Sequence, residues 1–282
     1  MKEKLKIMAV MCHPADAIDG AGGTLAQHAD RGDEVTMVVT THGLDTHDWK
    51  NLDKQILGQA GEPDKQTVAL GKKEQEVIDG MAMLGVKDVR FLRFSDELHM
   101  CTTELIKAIA KIMGEVRPHL LITHNPTEEL GLADTGHSGS AIAALRARTL
   151  SNSPSFNSEF GGRRFPSQIY FMTMNGETTR LTNEGTRHPD VIIDISDSIE
   201  RKVKAMDCLA SQFYPGKLAR KCMENVNGRQ GLHFCLSYAE GFQMWKPHIY
   251  RHLPLNEHLH WMQSTPIGQT KENLLKVDVH DL

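Results

Sequence analysis

The sequence predicts an α/β protein with a mostly parallel sheet that carries helices on both faces. Short apolar runs of strand length alternate along the chain with segments whose apolar residues recur at helical spacing, the pattern expected of a parallel sheet. The composition agrees, because 40% of the 282 residues are hydrophobic and 24% are charged, as in ordinary globular proteins. Three histidines also follow predicted strands, which indicates where a site could lie.

The first half of the chain supplies the beginning of this pattern. Residues 5–12 form an apolar run that ends in a His-Pro pair, and 34–43 form a second run that ends in glycine. Between them, 20–31 opens with glycines and is predicted as a helix. Residues 44–66 lack periodicity and contain Gly and Pro, so we predict a long loop of the kind that covers a site. Residues 70–84 have apolar residues at helical spacing.

The pattern continues from 89 onward. The predicted strands are 89–94, 119–126, "QIYFMTM" and "DVIIDIS"; the predicted helices are one capped by Thr103, one over 138–149 and one over 196–210. The arrangement is Rossmann-like. We predict a catalytic domain over 1–245 and a C-terminal extension over 246–282, rich in His and Pro, that packs on the core or on a neighbouring subunit of a homo-oligomer.

Charge and cysteine content restrict the partners and the compartment. The net charge is −4 with histidine neutral, which gives no reason to expect nucleic acid or an anionic membrane as a partner. The five cysteines form no CxxC pair and are odd in number, as expected of reduced thiols in the cytoplasm. The apolar run "IMAVMC" is too short to span a membrane. A small molecule is therefore the expected partner.

The histidines that follow strands predict a metal site. His13, His42 and His124 follow the first, second and fourth predicted strands, and Asp16 and His137 lie in adjoining segments. Ligands bind at the carboxyl ends of strands in such folds. Histidine and aspartate ligands with an open position suit zinc, and also iron or cobalt. The alternative is that Asp16 only caps the turn.

The glycines of "GAGG", residues 20–23, have two expected roles. They let the backbone pass close to the ion, and they expose N–H groups at a helix start, where an anion is favoured. The spacing differs from that of the dinucleotide-binding motif.

Several motifs together resemble the LmbE-like, or PIG-L, zinc deacetylase family. The opening "HPADAIDGAGG" is similar to the family's His-Pro-Asp-Asp and Gly-Gly. Further matches follow in order: Lys73 and Glu76 in "KKEQEV", Asp96, "DVIIDISDSIERKVKAMDCLASQF", and "YAEGF" at 238–242. The resemblance covers about residues 5–245. It implies an LmbE-like fold and His13, Asp16 and His137 as the ligands of Zn²⁺.

The sequence departs from the family pattern at two places. Ala15 stands where the family has the aspartate that serves as general base, a role typically worth ~10²–10⁴-fold in rate. In "DTGH", the ligand His137 is retained, but Asp134 and Gly136 replace the family's His and Asp. The candidates to replace the base are Asp45, His47, Asp134 and His124. The candidates for substrate binding are Lys73, Asp96, Arg229 and His233.

Three functions are consistent with these residues. The first is a zinc-dependent hydrolase, most simply a de-N-acetylase-like amidase acting on a sugar-like substrate with a non-standard base. The second is a zinc-dependent hydratase or lyase of a small unsaturated carboxylic acid, because "PAD" is similar to the His-x-Ala-Asp of the 4-oxalomesaconate hydratases, a branch of the same family. The third is a non-catalytic protein that keeps a metal.

Overall fold

A seven-stranded sheet forms the centre of the protein. The computed structural model describes residues 3–57, 66–97, 99–127, 135–158, 164–173 and 189–282. The strands are β1 (Lys6–Met11), β2 (Glu34–Thr41), β3 (Asp88–Phe94), β4 (Leu120–Thr123), β5 (Gln168–Met172), β6 (Val191–Asp194) and β7 (Ala239–Met244). Their order is β3-β2-β1-β4-β5-β7-β6. The first five strands in this order run parallel, and β7 is antiparallel to both β5 and β6.

Eleven α-helices lie within the described part of the chain. They are α1 (Asp16–Asp30), α2 (Trp49–Leu57), α3 (Gln66–Met83), α4 (Thr103–Val116), α5 (Thr135–Ser151), α6 (Pro154–Asn157), α7 (Ile199–Asp207), α8 (Lys217–Met223), α9 (Arg229–Leu232), α10 (Glu257–Ser264) and α11 (Ile267–Leu274). A π-helical turn over Glu224–Gly228 joins α8 to α9. None of the helices in these ranges has the length and apolar character needed to cross a bilayer.

The two faces of the sheet carry separate apolar clusters, because side chains alternate along each strand. In β1, Ile7, Ala9 and Met11 join the cluster that contains residues of α1, α3 and α7. Met8 and Val10 point the other way, into the cluster formed with α4 and α5. The predicted α/β class, mostly parallel and covered on both faces, is therefore confirmed.

Two predicted boundaries are wrong. The helix expected from residue 20 begins at Asp16, directly after the His-Pro turn. The loop expected over 44–66 contains the nine-residue helix α2. This helix was missed because its apolar side chains remain exposed, Leu52 at 47% and Ile56 at 69%, so no long buried stripe marks it in the sequence.

The glycines of the "GAGG" motif lie inside α1, which corrects the expectation that they open a helix toward an anion. Gly23 is needed for close packing, because a Cβ there would lie 2.6 Å from the Cβ of Ile195. The backbone N–H groups of Gly23 and Thr24 do meet an anion. It is the carboxylate of Glu240, at 2.9 and 2.8 Å.

Glu240 belongs to a buried ion pair that fastens α1 to α7 and β7. Lys202 Nζ donates to Glu240 Oε1 at 2.7 Å, to Asn227 Oδ1 at 2.8 Å and to the backbone carbonyl of Asp19 at 2.6 Å. Both charged side chains are completely buried. The pair therefore fixes the turn of α1 that follows Asp16.

The C-terminal segment begins where the sheet ends. Its last turn packs on the core, because Val279 is fully buried and its N–H donates to Tyr238 Oη at 3.0 Å. The segment before α10 exposes apolar side chains, with Ile249 at 96% and Leu253 at 99% exposed. The division at residue 245 and contact with a neighbouring subunit stay predictions.

Candidate metal centre

The centre forms where β1 and β4 end, next to the first turns of α1 and α5. His13 follows β1, and Asp16 is the first residue of α1. The backbone N–H of His13 donates to Asp16 Oδ2 at 2.6 Å, which fixes the short connection between them. His137 lies in the first turn of α5, 121 residues after Asp16 in the chain. The adjacency of β1 and β4 brings these distant segments together.

Three donor atoms have the spacing of ligands around a tetrahedral ion. His13 Nδ1 lies 3.2 Å from His137 Nε2 and 3.5 Å from Asp16 Oδ2, and the last two atoms are 3.6 Å apart. Bonds of about 2.0–2.1 Å at tetrahedral angles place ligands roughly 3.3 Å apart. All three residues are buried. The set fits a metal ion in both geometry and donor chemistry, and it is one of several His/Asp groups here that could hold one.

His124 lies behind these three residues. Its Nε2 lies 3.1 Å from the backbone nitrogen of Cys12 and 2.9 Å from Asp16 Oδ2, and its ring stacks on His137 with centroids 4.0 Å apart. Burial lowers the pKa of His124 to about 4, helped by His137, so the ring is neutral near pH 7. Its contacts are those of a residue that positions Asp16, rather than one that reaches a substrate.

The carboxylate of Asp16 is kept ionised. Burial alone would raise its pKa, but His137, His124 and His13 outweigh burial and hold the pKa well below its usual range. A carboxylate that remains an anion is what a metal ligand requires.

One wall of the centre is the segment 44–48, which follows β2. Gly43 precedes this segment with φ +63°, and a Cβ there would lie 2.6 Å from Pro14 Cδ. The ring of His47 lies 4.0 Å from that of His13, centroid to centroid. Thr46 Oγ1 and His47 Nδ1 are 2.6 Å apart. The predicted catalytic residue His47 is therefore at the centre.

Asp96 holds this wall in place. Its carboxylate accepts the backbone N–H groups of Asp45 at 3.3 Å and Thr46 at 2.9 Å, and also the Thr46 hydroxyl. His42 Nδ1 lies 3.0 Å from Asp96 Oδ1. Burial would raise the pKa of Asp96, but hydrogen bonds from His47, Thr46 and Asp45 hold it below its usual range. These contacts make Asp96 a support of the wall.

We expect Asp96→Asn to weaken the protein at neutral pH and to have less effect in acid. Because the folded-state pKa is depressed, the stabilisation by Asp96 is fully present above the unfolded value of about 3.9 and is lost as pH falls through the folded value. Loss of a buried charged acceptor costs about 2 kcal/mol. Chemical denaturation between pH 7 and pH 3 should therefore show that the difference in free energy of unfolding between the variant and the wild type becomes smaller as the pH falls.

The control is Asp197→Asn, whose side chain is 81% exposed. Its free energy of unfolding should stay within about 0.5 kcal/mol of the wild type at every pH. A difference independent of pH would contradict this account.

Lys73 supports the same wall from α3. Its Nζ donates to the His47 carbonyl at 2.8 Å and to Ser211 Oγ at 3.1 Å. Glu76 accepts the Ser211 N–H at 2.8 Å and its hydroxyl at 2.7 Å. Burial lowers the pKa of Lys73 to about 8. The negative charges of nearby acids, of which Asp48 has the largest effect, raise the pKa but only partly offset burial. Lys73 thus joins the wall to the 3₁₀ turn over Ala210–Gln212.

A cavity of about 380 Å³ opens onto the centre. Ala15, Asp16, His47 and His137 form its base. Its outer wall comes from the segment after α7 and includes the polar side chains of Gln212, Tyr214, Lys221 and Asn225. A polar cavity of this size next to a metal-type centre can accept a small polar molecule.

The other predicted residues lie elsewhere. Asp45 is exposed, and its Oδ2 accepts the Ser95 hydroxyl at 2.8 Å beside a separate, smaller cavity. Arg229 and His233 are exposed residues around α9 and are not among those lining the main cavity. Asp134 lies outside the described residues.

The sequence interpretation missed Asp19, which also borders the cavity. It follows Ala15 by four residues, and the Asp19 N–H bonds the Ala15 carbonyl at 3.0 Å. Residues four apart lie on one face of a helix. A helix drawn from residue 16 instead of 20 would have placed Asp19 beside the centre.

The fold and the site define a Rossmann-like α/β protein with a buried His₂Asp centre of metal-binding type. The sequence model of the PIG-L family, described as GlcNAc-PI de-N-acetylase, matches residues 8–147. This match covers 140 of the 282 residues and includes His13, Asp16 and His137, and it shows that this part of the chain is similar to the PIG-L family.

Two curated relatives are deacetylases. The diacetylchitobiose deacetylase of Thermococcus kodakarensis is 28% identical over 211 residues, 74% of this chain and 70% of the relative. The 1D-myo-inositol 2-acetamido-2-deoxy-alpha-D-glucopyranoside deacetylase 1 of Catenulispora acidiphila is 26% identical over 60% of this chain and 56% of the relative. The chain thus spans between about half and 70% of these relatives.

Solved structures share the fold. The N,N'-diacetylchitobiose deacetylase of Pyrococcus horikoshii has a TM-score of 0.67 and 22% identity, over 91% of this chain and 89% of that one. The 4-carboxy-2-hydroxymuconate hydratase of Pseudomonas putida also has a TM-score of 0.67, with 19% identity over 89% of this chain and 100% of that one. The LmbE-like fold is thereby confirmed, and it hosts both kinds of enzyme.

Proposed function

We propose that the protein is a zinc-dependent hydrolase that removes an N-acetyl group from a small sugar-like amine. The observation that carries the proposal is the triangle of His13, Asp16 and His137 at the base of a polar cavity. The deacetylase relatives supply the reaction class.

The proposed ligands are His13 Nδ1, Asp16 Oδ2 and His137 Nε2. Zinc suits two imidazoles and one carboxylate, and iron or cobalt are the other metals to test. When bound, such an ion supplies a Lewis acid that polarises a carbonyl oxygen and lowers the pKa of water.

The chain's own residues then orient the substrate and move protons. Among the predicted candidates we favour His47, because its ring borders the cavity and Thr46 and Asp96 orient it. We propose that His47 donates a proton to the nitrogen as the amide bond breaks. His124 has the contacts of a positioning residue for Asp16, and Asp45 and Asp134 remain weaker candidates.

In this proposal the residues of the outer wall of the cavity bind the substrate. Lys221 and Asn225 present polar groups suited to sugar hydroxyls, and Gln212 and Tyr214 narrow the cavity. Lys73 and Asp96 act indirectly, by holding the segment that carries His47. Arg229 and His233 have a role only if a long substrate extends past the cavity.

The proposal is tested by acetate release. The zinc-loaded protein should release one acetate and one amine from N-acetylated mono- and disaccharides, including N,N'-diacetylchitobiose. Removal of the metal by a chelator should abolish the activity, and added zinc should restore it. Metal-loaded protein that releases no acetate from a broad panel would contradict the hydrolase.

The second candidate is a hydratase or lyase of a small unsaturated carboxylic acid, and Ala15 is the observation that favours it. The same samples should be given enone-type acids while ultraviolet absorbance is followed. A change in absorbance without acetate release would identify this reaction. If both assays are negative while the metal is bound, the protein is a non-catalytic metal-binding member of the family.

The proposed setting is the cytoplasm, with a second copy as the partner of segment 246–282. The five cysteines form no disulfide, and Ile249 and Leu253 offer apolar side chains for such a contact.

A further inference from the structure

Asp19 is an acidic residue beside the position where the usual base is missing. Ala15 has helical backbone angles, φ −82° and ψ −22°, so the two residues are related by one helical turn. Both border the cavity, together with Asp16 and His137. The face of α1 that lacks a carboxylate at residue 15 therefore carries one at residue 19.

The environment of Asp19 differs from that of its neighbour Asp16. Asp16 Oδ2 is surrounded by the His13 N–H and the His124 ring. By contrast, Asp19 Oδ1 is buried and has no hydrogen-bond partner within the described ranges. A buried carboxylate oxygen that accepts no hydrogen bond is less stabilised as an anion and accepts a proton more readily.

Burial also raises the pKa of the Asp19 carboxyl above its ordinary value, and the attraction of Lys202 offsets this only in part. A raised pKa agrees with the missing hydrogen-bond partner of Asp19 Oδ1 and with a carboxylate suited to accept a proton.

We propose that Asp19 is the general base of this enzyme and takes the place of the carboxylate missing at Ala15. The inference rests on the proposed amide hydrolysis. Asp19 removes a proton from the attacking water, directly or through one further water, as the water oxygen bonds to the carbonyl carbon. The carbon–nitrogen bond then breaks, and the nitrogen receives a proton from His47. Acetate and the free amine leave, and solvent returns the proton of Asp19 to His47.

The other predicted residues fit this role less well. Asp45 accepts the Ser95 hydroxyl outside the main cavity, and His124 is enclosed behind Asp16. His47 also borders the cavity, and its ring lies beside that of His13. Asp19 and His47 are thus two separate side chains at the same cavity, which suits one acceptor and one donor.

The experiment compares four zinc-loaded proteins: the wild type, Asp19→Asn, Ala15→Asp, and the double variant Ala15→Asp/Asp19→Asn. Acetate release by the wild type comes first, because its absence is a failure of the proposed function and not of this inference. We expect Asp19→Asn to lower kcat ~10²–10⁴-fold, with KM changed less than about threefold and zinc content unchanged. The double variant should recover at least about tenfold over Asp19→Asn, because it restores a carboxylate at the cavity.

A readout without turnover uses Cys222, which also borders the cavity. Burial, with the charge of Asp19, raises the pKa of the Cys222 thiol to about 11. Asp19→Asn should therefore speed alkylation of Cys222 by iodoacetamide at pH 8–9, measured by peptide mass spectrometry, while the other cysteines keep their rates.

Three outcomes would overturn the inference. One is a wild-type kcat in Asp19→Asn. The second is a raised KM with unchanged kcat, which would assign Asp19 to substrate binding. The third is loss of zinc from Asp19→Asn without recovery in the double variant, which would make Asp19 a support of the centre.

Discussion

Replacement of His137 by alanine is expected to remove the metal and the activity together, while the fold is retained. Two donors, His13 and Asp16, would remain of the three that surround the centre. A site with two protein ligands binds zinc far more weakly than one with three, because structural and catalytic zinc sites use three or four. Elemental analysis should find about one zinc per chain in the wild type and less than about a tenth of that in His137→Ala.

The matched control for this experiment is His252→Ala, which changes an exposed histidine of the C-terminal segment. It should keep both zinc and acetate release. Circular dichroism should be the same for all three proteins, since the sheet and its two apolar clusters are not altered. Full zinc content in His137→Ala would mean that the metal binds elsewhere, for example at the group formed by His42, Asp45 and Asp96.

The largest effect on stability is expected from Lys202→Met. This change leaves Glu240 as a buried anion without its cation, and it removes the donor to Asn227 Oδ1 and to the Asp19 carbonyl. Removal of one partner of a buried ion pair costs about 3–5 kcal/mol. Urea denaturation should show a loss of this size in the free energy of unfolding.

The comparison for Lys202→Met is Glu200→Gln, which breaks the exposed pair of Glu200 with Lys204 on the same helix. Exposed pairs contribute about 0–1 kcal/mol, so this variant should be close to the wild type. If Lys202→Met costs no more than Glu200→Gln, the pair does not fasten α1 to α7. A loss of activity greater than the loss of folded protein would indicate that the turn with Asp16 and Asp19 has shifted.

The sequence predicts the sheet well where burial leaves a simple pattern. The runs that became β1 and β2 are almost wholly buried, so their apolar residues are not confined to alternate positions. The sequence-based prediction fails at α2, because the apolar residues of this helix are exposed and form no stripe facing the core. It also fails at β7, because this strand contains the buried charge of Glu240. That charge is acceptable only because Lys202 reaches it from 38 residues earlier in the chain, which no local pattern encodes.

The candidate site was predictable only where a local motif marks its residues. Short-range motifs and a family resemblance indicated His13, Asp16 and His137, and the structure brings their donor atoms together. Asp19 was missed because the helix was started four residues late. The outer wall with Lys221 and Asn225 was missed because it faces the centre only after α8 and the π-helical turn have formed.

The centre and the walls of its cavity are built from different parts of the chain. The donor triangle depends on β1, α1 and α5, whereas the shape of the cavity depends on the segment 44–48 and on residues 212–226. Asp96 and Lys73 attach the first of these segments as a unit, through its backbone. Substitutions in these two segments can therefore change which substrate fits the cavity, while the donor atoms of the centre keep their positions. The same separation makes this scaffold suitable for grafting new specificity by loop replacement.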